Sequence, residues 1–132
     1  MCGITGILGN ADAAIASTMS AGLSHRGPDG RGGFQEERNN GSGAFGHSRL
    51  SIVDIDGSSQ PIHSDHGSVL IQNGEIYNYA ELRNQIRTYP WRTSGDSETI
   101  LALHKTASSE TQPNHAEWVS RLDGIWGFAL WD

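Results

Sequence analysis

The chain begins Met-Cys-Gly-Ile-Thr-Gly-Ile-Leu-Gly over residues 1–9. The run from Gly3 to Leu8 predicts a short buried strand, because brief apolar runs bounded by turn-forming residues are typical of strands. Cys2 would then stand directly before the first strand. The same segment is a poor signal peptide, since it has no positive flank and its apolar run is interrupted by glycines.

The composition describes one ordinary globular domain. The 132 residues are 36% hydrophobic and 18% charged, and no repeat or linker divides them, so we predict a single domain over residues 1–132. A net charge of −6 argues against a nucleic-acid partner or an anionic membrane surface. No stretch approaches the roughly 20 apolar residues of a membrane span. The single cysteine excludes an internal disulfide, and we expect a cytoplasmic location.

Three segments have the periodicity of amphipathic helices. The first follows Asp12, a candidate N-cap, and the second opens at Asn78 with Glu81 placed as in a capping box. The third begins near Asp96 or Ser97. Their predicted apolar faces are Ile15, Met19 and Leu23; Tyr79, Leu82 and Ile86; and Ile100, Leu101 and Leu103. A fourth, short helix is expected to start at Pro113 and to contain Trp118.

The remaining apolar runs predict strands. They cover residues 43–47, 49–53, 69–71 and 125–131. The last run is apolar on both faces, which predicts an interior strand covered on both sides. The glycine- and proline-rich stretch from His25 to Gly33 predicts a loop, and the segment 54–67 is polar and turn-like. Because the strands come in local runs, we predict an α+β fold with antiparallel sheets.

Cys2 is the first candidate for chemistry. Removal of the initiator Met would leave a thiol and a free α-amine on one residue, which together form a nucleophile and its base. The alternative is that Cys2 is simply a small buried hydrophobe. The other motifs of the chain bear on this choice.

Five fragments occur in a fixed order along the chain. They are residues 1–7 (MCGITGI), 25–30 (HRGPDG), 46–54 (GHSRLSIVD), 73–78 (NGEIYN) and 129–132 (ALWD). Together they resemble the glutaminase domain of the class II glutamine amidotransferases, of the asparagine synthetase B type, over the whole chain. This family belongs to the N-terminal-nucleophile hydrolases. The resemblance implies an αββα sandwich of antiparallel sheets, which we expect to be incomplete at its C-terminus because the family's domain ordinarily continues beyond residue 132.

The resemblance also implies roles for individual residues. Cys2 would attack the side-chain amide of glutamine, while the Asn73 side chain and the Gly74 backbone N–H would stabilise the oxyanion. Arg49 would bind the substrate carboxylate, and Glu75 and Asp96 the substrate ammonium. The pocket would also be lined by Leu50, Ser51, Ile52 and Val53.

Each of these residues has a simpler interpretation. Asn73-Gly74 is a good type I′ hairpin turn, and Arg49 could be a solvated strand charge. Asp96 could be a plain N-cap. The residues His25, Arg26, Asp29 and Gly30 belong to a loop that closes over glutamine in the family, but an exposed loop is the alternative. We interpret His63, His66, His104 and His115 as surface histidines and predict no metal site, since their spacing does not match usual zinc ligand sets.

The partners follow from what the chain lacks. It has no Gly-x-x-x-x-Gly-Lys-Ser/Thr loop and no Ser-Gly-Gly-x-Asp-Ser loop, so ATP and Mg²⁺ would belong to a synthetase domain outside this chain. We therefore expect no cofactor here, hydrolysis of L-glutamine to L-glutamate and ammonia, and an ammonia-accepting synthetase domain or chain. The alternatives are a truncated glutamine-binding module of little activity, or a regulatory subunit. An incomplete sheet would also favour a homo-oligomer, because exposed strand edges pair with other chains.

Overall fold

The structure is a computed structural model that describes residues 2–39, 41–51, 57, 59–109 and 114–132. In chain order its elements are β1 Gly3–Gly9, α1 Ala13–Gly22, β2 Gly30–Arg38, β3 Gly41–Arg49, β4 Ile62–His63, β5 Val69–Ile76, α2 Tyr79–Gln85, α3 Glu98–Ser108, α4 His115–Val119 and β6 Gly124–Trp131. The strands form two antiparallel three-stranded sheets. The first has the order β1-β3-β2, and the second has the order β4-β5-β6.

The two sheets lie face to face between outer layers of helices. Helix α1 packs on the first sheet, mainly against β3. Helices α2, α3 and α4 cover the second sheet, where Leu70 and Ile76 of β5 join Leu82, Ile100 and Leu103 in the main apolar core. The result is a helix–sheet–sheet–helix arrangement of the α+β class, as the family resemblance implies. None of the described helices is long and apolar enough to cross a membrane.

Two contacts fix how the sheets are oriented. Gly43 of β3 lies against the Trp131 ring, since a Cβ on Gly43 would be 2.7 Å from ring atoms. Trp131 is in turn paired with Val69 of β5. Further along, His47 Nε2 lies 3.1 Å from the Gln72 carbonyl oxygen. Since the chain advances from Gly43 to His47 on β3 and from Val69 to Gln72 on β5, these two strands run in the same direction. Their C-terminal ends therefore lie at the same end of the sandwich.

Helix α1 forms as predicted but presents a different face to the sheet. Asp12 is its N-cap, and its side chain accepts hydrogen bonds from the backbone N–H groups of Ala14 and Ile15. The predicted apolar face is wrong, however, because Ile15 and Met19 are 54% and 43% exposed. The buried residues of the helix are Ala16 and Ser20, both small.

The second helix departs from the predicted cap. Helix α2 begins after Asn78, but the Asn78 side chain makes no capping hydrogen bond. Instead its Nδ2 donates to the Arg121 carbonyl oxygen and its Oδ1 accepts from the Asp123 amide. The capping box with Glu81 is therefore wrong, since the amide ties the helix to the segment before β6. The expected helix start at Pro113 lies outside the described residues, although α4 does contain Trp118.

The glycine-rich stretch and the Asn-Gly pair both differ from expectation. The loop predicted up to Gly33 ends earlier, because β2 begins at Gly30. Residues 62 and 63, expected to be turn-like, form the short strand β4. Asn73-Gly74 is not a hairpin turn, since both residues lie inside β5 and pair with β6.

The strand predicted over residues 125–131 is confirmed as β6, Gly124–Trp131, but it is less covered than predicted. Among the described residues it pairs with β5 alone, and its side chains are half-buried apart from Ile125, which is 66% exposed. The prediction of an interior strand covered on both sides is therefore wrong for this part of the chain. The apolar residues of β6 lie at a sheet edge.

Candidate active site

Cys2 lies at the end of the first sheet where β1 begins and β3 finishes. Gly3 is paired with Ser48, which places Cys2 beside the residues that follow β3. The half-buried thiol sulfur accepts a hydrogen bond from the Leu50 N–H at 3.4 Å, and it lies 3.7 Å from the Leu50 carbonyl oxygen. A backbone donor is thus directed at the sulfur.

The loop before β2 is attached to this corner. Arg26 Nε donates to the Cys2 carbonyl oxygen at 3.2 Å, and the Asp29 N–H donates to the Arg49 carbonyl oxygen at 2.9 Å. The Asp29 carboxylate accepts from the Ser51 N–H at 2.8 Å. A Cβ on Gly27 would collide with the Ser48 carbonyl group. The loop therefore braces the segment beside Cys2, and its closing over a substrate stays a prediction.

The edge of β5 that faces away from β6 forms the second half of the site. Strand β4 pairs with β5 only at Val69 and Leu70. Beyond that point side chains bind the backbone of this edge. The Gln72 N–H donates to Gln60 Oε1 at 2.6 Å, the Gln72 carbonyl oxygen contacts His47, and the Ile76 N–H donates to Asp96 Oδ2 at 2.8 Å.

Gly74 falls between these side-chain contacts. The Tyr77 N–H donates to the Asp123 carbonyl oxygen on the β6 side, so strand alternation turns the N–H groups of Gln72, Gly74 and Ile76 to the other edge. Among the described residues no side chain accepts from the Gly74 N–H. Gly74 itself is exposed and has a φ of +137°. Its amide is thus directed to the edge of β5, between the contacts that Gln60 and Asp96 make.

The neighbouring Asn73 points toward the other sheet. Leu70 and Ile76 belong to the core under the helices, and Asn73 has the opposite parity on the strand. Its side-chain oxygen is buried and has no hydrogen-bond partner among the described residues. A buried amide without a partner costs stability, and such groups are often kept for a ligand.

The two halves of the site lie at the same end of the sandwich. Because β3 and β5 run in the same direction, the segment from Arg49 to Leu50 lies at the end reached by Asn73 and Gly74. Cys2 joins this end through its contact with Leu50. Glu75 is exposed there, and Arg49 is half-buried. Ile52 and Val53, the other predicted pocket residues, lie outside the described residues.

The Asp96 side chain binds β5 and does not cap α3, although its backbone carbonyl oxygen accepts from the Thr99 N–H. Ser97 precedes α3, and neither it nor Asp96 makes a side-chain capping hydrogen bond. The Asp96 carboxylate is 8% exposed and also accepts from Gln72 Nε2 at 3.4 Å. The alternative interpretation of Asp96 as an N-cap is therefore wrong. Its carboxylate instead binds β5, the strand that carries Asn73 and Gly74.

His47 lies between the two halves and is fully buried. Its burial lowers the pKa of the imidazole, the hydrogen bond to the Gln72 carbonyl works in the opposite direction, and Arg49 lowers the pKa further. A neutral ring can satisfy the carbonyl only by donating from Nε2. Sequence reasoning missed this residue and Gln60, although His47 stands two positions before Arg49 within a quoted motif.

The other histidines include one correction. His63, His66 and His115 are exposed, but His104 is 5% exposed, so its assignment to the surface is wrong. Burial lowers the pKa of His104, Asp132 raises it and His115 lowers it. In the described part of the chain no three His, Cys, Asp or Glu side chains are grouped as metal ligands would be.

Comparisons with known proteins agree with this fold. The family model described as "Glutamine amidotransferase domain" matches residues 1–132. Asparagine synthetase [glutamine-hydrolyzing] 1 of Arabidopsis thaliana is 35% identical over 138 residues, covering 100% of this chain and 22% of that protein. A protein of Mycobacterium bovis named putative asparagine synthetase [glutamine-hydrolyzing] is 41% identical, covering 92% of this chain and 19% of its own length. The chain thus spans about a fifth of these relatives.

Solved structures of the same fold are more distant in sequence. Glutamine phosphoribosylpyrophosphate amidotransferase from B. subtilis superimposes with a TM-score of 0.70 at 20% identity, over 97% of this chain and 34% of that one. A structure titled the allosteric regulatory enzyme of purine biosynthesis gives a TM-score of 0.75 at 20% identity, over 97% and 35%. The described residues thus share the fold of these two structures. The chain belongs to the glutamine amidotransferase domain family.

Proposed function

We propose that this domain hydrolyses L-glutamine to L-glutamate and ammonia, with Cys2 as the N-terminal nucleophile. The feature that most supports the proposal is the position of Cys2 beside Leu50, at the same end of the sandwich as the Asn73-Gly74 segment of β5. Family membership supports the same chemistry.

The reaction would begin with attack of the Cys2 sulfur on the side-chain amide carbon of glutamine. The α-amine of Cys2, freed by removal of Met1, would accept the thiol proton and pass it to the leaving ammonia. Water would then hydrolyse the thioester to release glutamate and restore the thiol. The Leu50 N–H, 3.4 Å from the sulfur, would stabilise the thiolate during this cycle.

The oxyanion of the tetrahedral intermediates would be bound by the Asn73 side-chain amide and the Gly74 N–H. Loss of one such donor typically raises the barrier by about 2.7–4 kcal/mol. The unpartnered Asn73 amide oxygen and the open edge at Gly74 support this assignment. Amide oxygen and nitrogen can exchange places by a rotation of the side chain.

Arg49, Glu75 and Asp96 would hold the charged ends of glutamine. A guanidinium is suited to the α-carboxylate, and the carboxylates are suited to the α-ammonium. Asp96 Oδ2 accepts from the Ile76 N–H, which fixes the carboxyl group in place. The backbone of residues 50–53 would line the rest of the pocket.

The proposal extends to asparagine synthesis in the cytoplasm. The relatives are named glutamine-hydrolysing asparagine synthetases, and this chain matches about a fifth of their length. The ammonia would pass to a synthetase domain or chain that uses ATP and Mg²⁺, so no cofactor is assigned to residues 1–132. Assembly of the domain with a second copy is part of the same proposal.

The test is glutamate release from glutamine by the protein and by its Cys2→Ser and Cys2→Ala variants. We expect release in the parent and none in either variant. Intact-mass analysis of active protein should show that Met1 is absent, since a retained Met1 would place the proposed base in a peptide bond. A glutamine-like diazo-ketone should label Cys2 once per chain. Labelling without turnover would instead indicate a binding module of little activity.

A further inference from the structure

We propose that His47 is a positioning residue that holds the strand carrying Asn73 and Gly74 in place relative to Cys2. This inference rests on the proposed function, since it concerns the geometry of the same hydrolysis. His47 would not contact glutamine. It would act through the hydrogen bond between its Nε2 and the Gln72 carbonyl oxygen.

The position of His47 suits this role. On the first sheet His47 is paired with Ile4 of β1, two residues after Cys2. It is also paired with Gly32 of β2, two residues after Gly30. Its partner Gln72 directly precedes Asn73. This hydrogen bond thus joins the two sheets two residues from Cys2 along β1, and one and two residues from the proposed oxyanion donors Asn73 and Gly74.

The bond also meets a need of the second sheet. The Gln72 carbonyl oxygen lies on the edge of β5 that β4 no longer covers, and a buried carbonyl oxygen without a partner is destabilising. On the same edge Gln60 and Asp96 bind the N–H groups of Gln72 and Ile76. His47 differs from these two in belonging to the opposite sheet. Of the three side chains that bind this edge, His47 is therefore the one that can fix the position of β5 relative to the sheet that carries Cys2.

The other ring nitrogen separates two ways in which His47 could act. Nδ1 is buried and has no hydrogen-bond partner among the described residues. If His47 acted through Nδ1, by contacting a substrate or a water, the Nε2 bond would be secondary. Positioning requires the opposite, namely that Nε2 is the functional atom.

Two substitutions of similar size test which nitrogen matters. In His47→Gln the side-chain amide nitrogen reaches the place of Nε2, since both are four bonds from the Cα. In His47→Asn the amide reaches only the place of Nδ1. The exposed His66, whose side chain has no role in this network, gives the control His66→Gln.

We expect His47→Asn to lower kcat for glutamine hydrolysis roughly 10- to 100-fold, because a shift of about 1 Å in catalytic geometry costs up to about 10² in rate. KM should change little, since ionic contacts to the ends of glutamine vary more gently with distance than an oxyanion hydrogen bond. His47→Gln should restore kcat toward that of the parent. If His47→Gln were as impaired as His47→Asn, or if His47→Asn retained parental kcat, the positioning role would be refuted.

A second measurement keeps this inference separate from the proposed function. Nitrogen NMR of the His47 ring should show the Nε2–H tautomer in the parent. The amide resonance of Gly74 should shift in His47→Asn and remain near its parental position in His47→Gln and His66→Gln. Absence of hydrolysis in the parent would refute the proposed function, and this resonance pattern would still decide the linkage between the sheets. A Gly74 resonance that does not respond to His47→Asn would overturn it.

Discussion

The amide nitrogen of Ile76 lies 2.8 Å from Asp96 Oδ2, which ties the loop before α3 to the edge of β5. Asp96 therefore has a structural contact in addition to its proposed contact with substrate ammonium. Asp96→Asn keeps an acceptor for the Ile76 N–H and loses the charge. We expect it to retain the parent's urea-unfolding midpoint and to raise KM for glutamine.

The companion variant Asp96→Ala removes both contacts. It should lower the free energy of unfolding by about 1–3 kcal/mol, the cost of a buried donor without a partner, and also raise KM. Glu37→Gln, which alters an exposed carboxylate on β2, is the control for loss of charge. A normal KM in Asp96→Asn would show that Asp96 does not bind the substrate.

Gly74 should not tolerate a side chain. Its φ of +137° strains any other residue, and a Cβ there would collide with the Ile125 carbonyl oxygen. Gly74→Ala should therefore lower the free energy of unfolding by at least about 1–3 kcal/mol and abolish glutamate release. Gly127→Ala is the matched control. Gly127 lies on β6 opposite Asn73, and a Cβ on Gly127 would meet nothing within 4 Å. Equal effects of the two alanines in unfolding and activity assays would contradict this account.

Arg26 should matter for activity more than for stability. Its Nε donates to the Cys2 carbonyl oxygen at 3.2 Å from a half-buried position. Arg26→Lys keeps the charge but loses the directed donor, so we expect kcat to fall while thermal unfolding changes little. Arg31→Lys, at an exposed position on β2, is the control. Parental kcat in Arg26→Lys would mean that this contact does not orient Cys2.

Acid should weaken the fold through His104. Burial lowers the pKa of His104 below its ordinary value of 6.5 despite the opposing effect of Asp132, so the unfolded chain takes up this proton more readily. The contribution is fully present above pH 6.5 and is lost as the pH falls through the lowered pKa. Urea unfolding at a series of pH values should show this loss. The slope of the unfolding free energy against pH should be smaller in His104→Gln than in the control His66→Gln. An unchanged slope in His104→Gln would exclude His104 as the source.

Helix α1 shows where sequence patterns identify an element and miss its orientation. The period of Ile15, Met19 and Leu23 and the cap at Asp12 correctly predict a helix. The orientation depends instead on Gly46 of β3, where a Cβ would lie 2.6 Å from the Ala16 carbonyl oxygen and 2.9 Å from Ser20 Cβ. Close approach of the helix to the sheet favours small residues at the contact, so Ala16 and Ser20 displace the larger apolar side chains.

The site shows a similar division. Motif resemblance predicts Cys2, Asn73 and Gly74 as site residues, and the apolar runs predict the antiparallel α+β fold that the structure has. The supporting contacts of Gln60 and His47 could not be predicted from the sequence. The Gln60 contact depends on how far β4 extends along β5, and the His47 contact depends on how the two sheets pack face to face. Such relations are tertiary and leave no local pattern. The same holds for Asn73-Gly74, whose turn-like pair adopts a strand because β6 completes its ladder.

The edge of β5 has a consequence for how this domain can change over generations. A neighbouring strand would fix every amide of that edge at once, and its replacement would mean rebuilding a sheet. Here the edge is held by individual side chains from separate parts of the chain, with Gly74 left open between them. Each can be exchanged by a single codon, so the surroundings of the Gly74 amide can be altered stepwise while the sandwich stays the same.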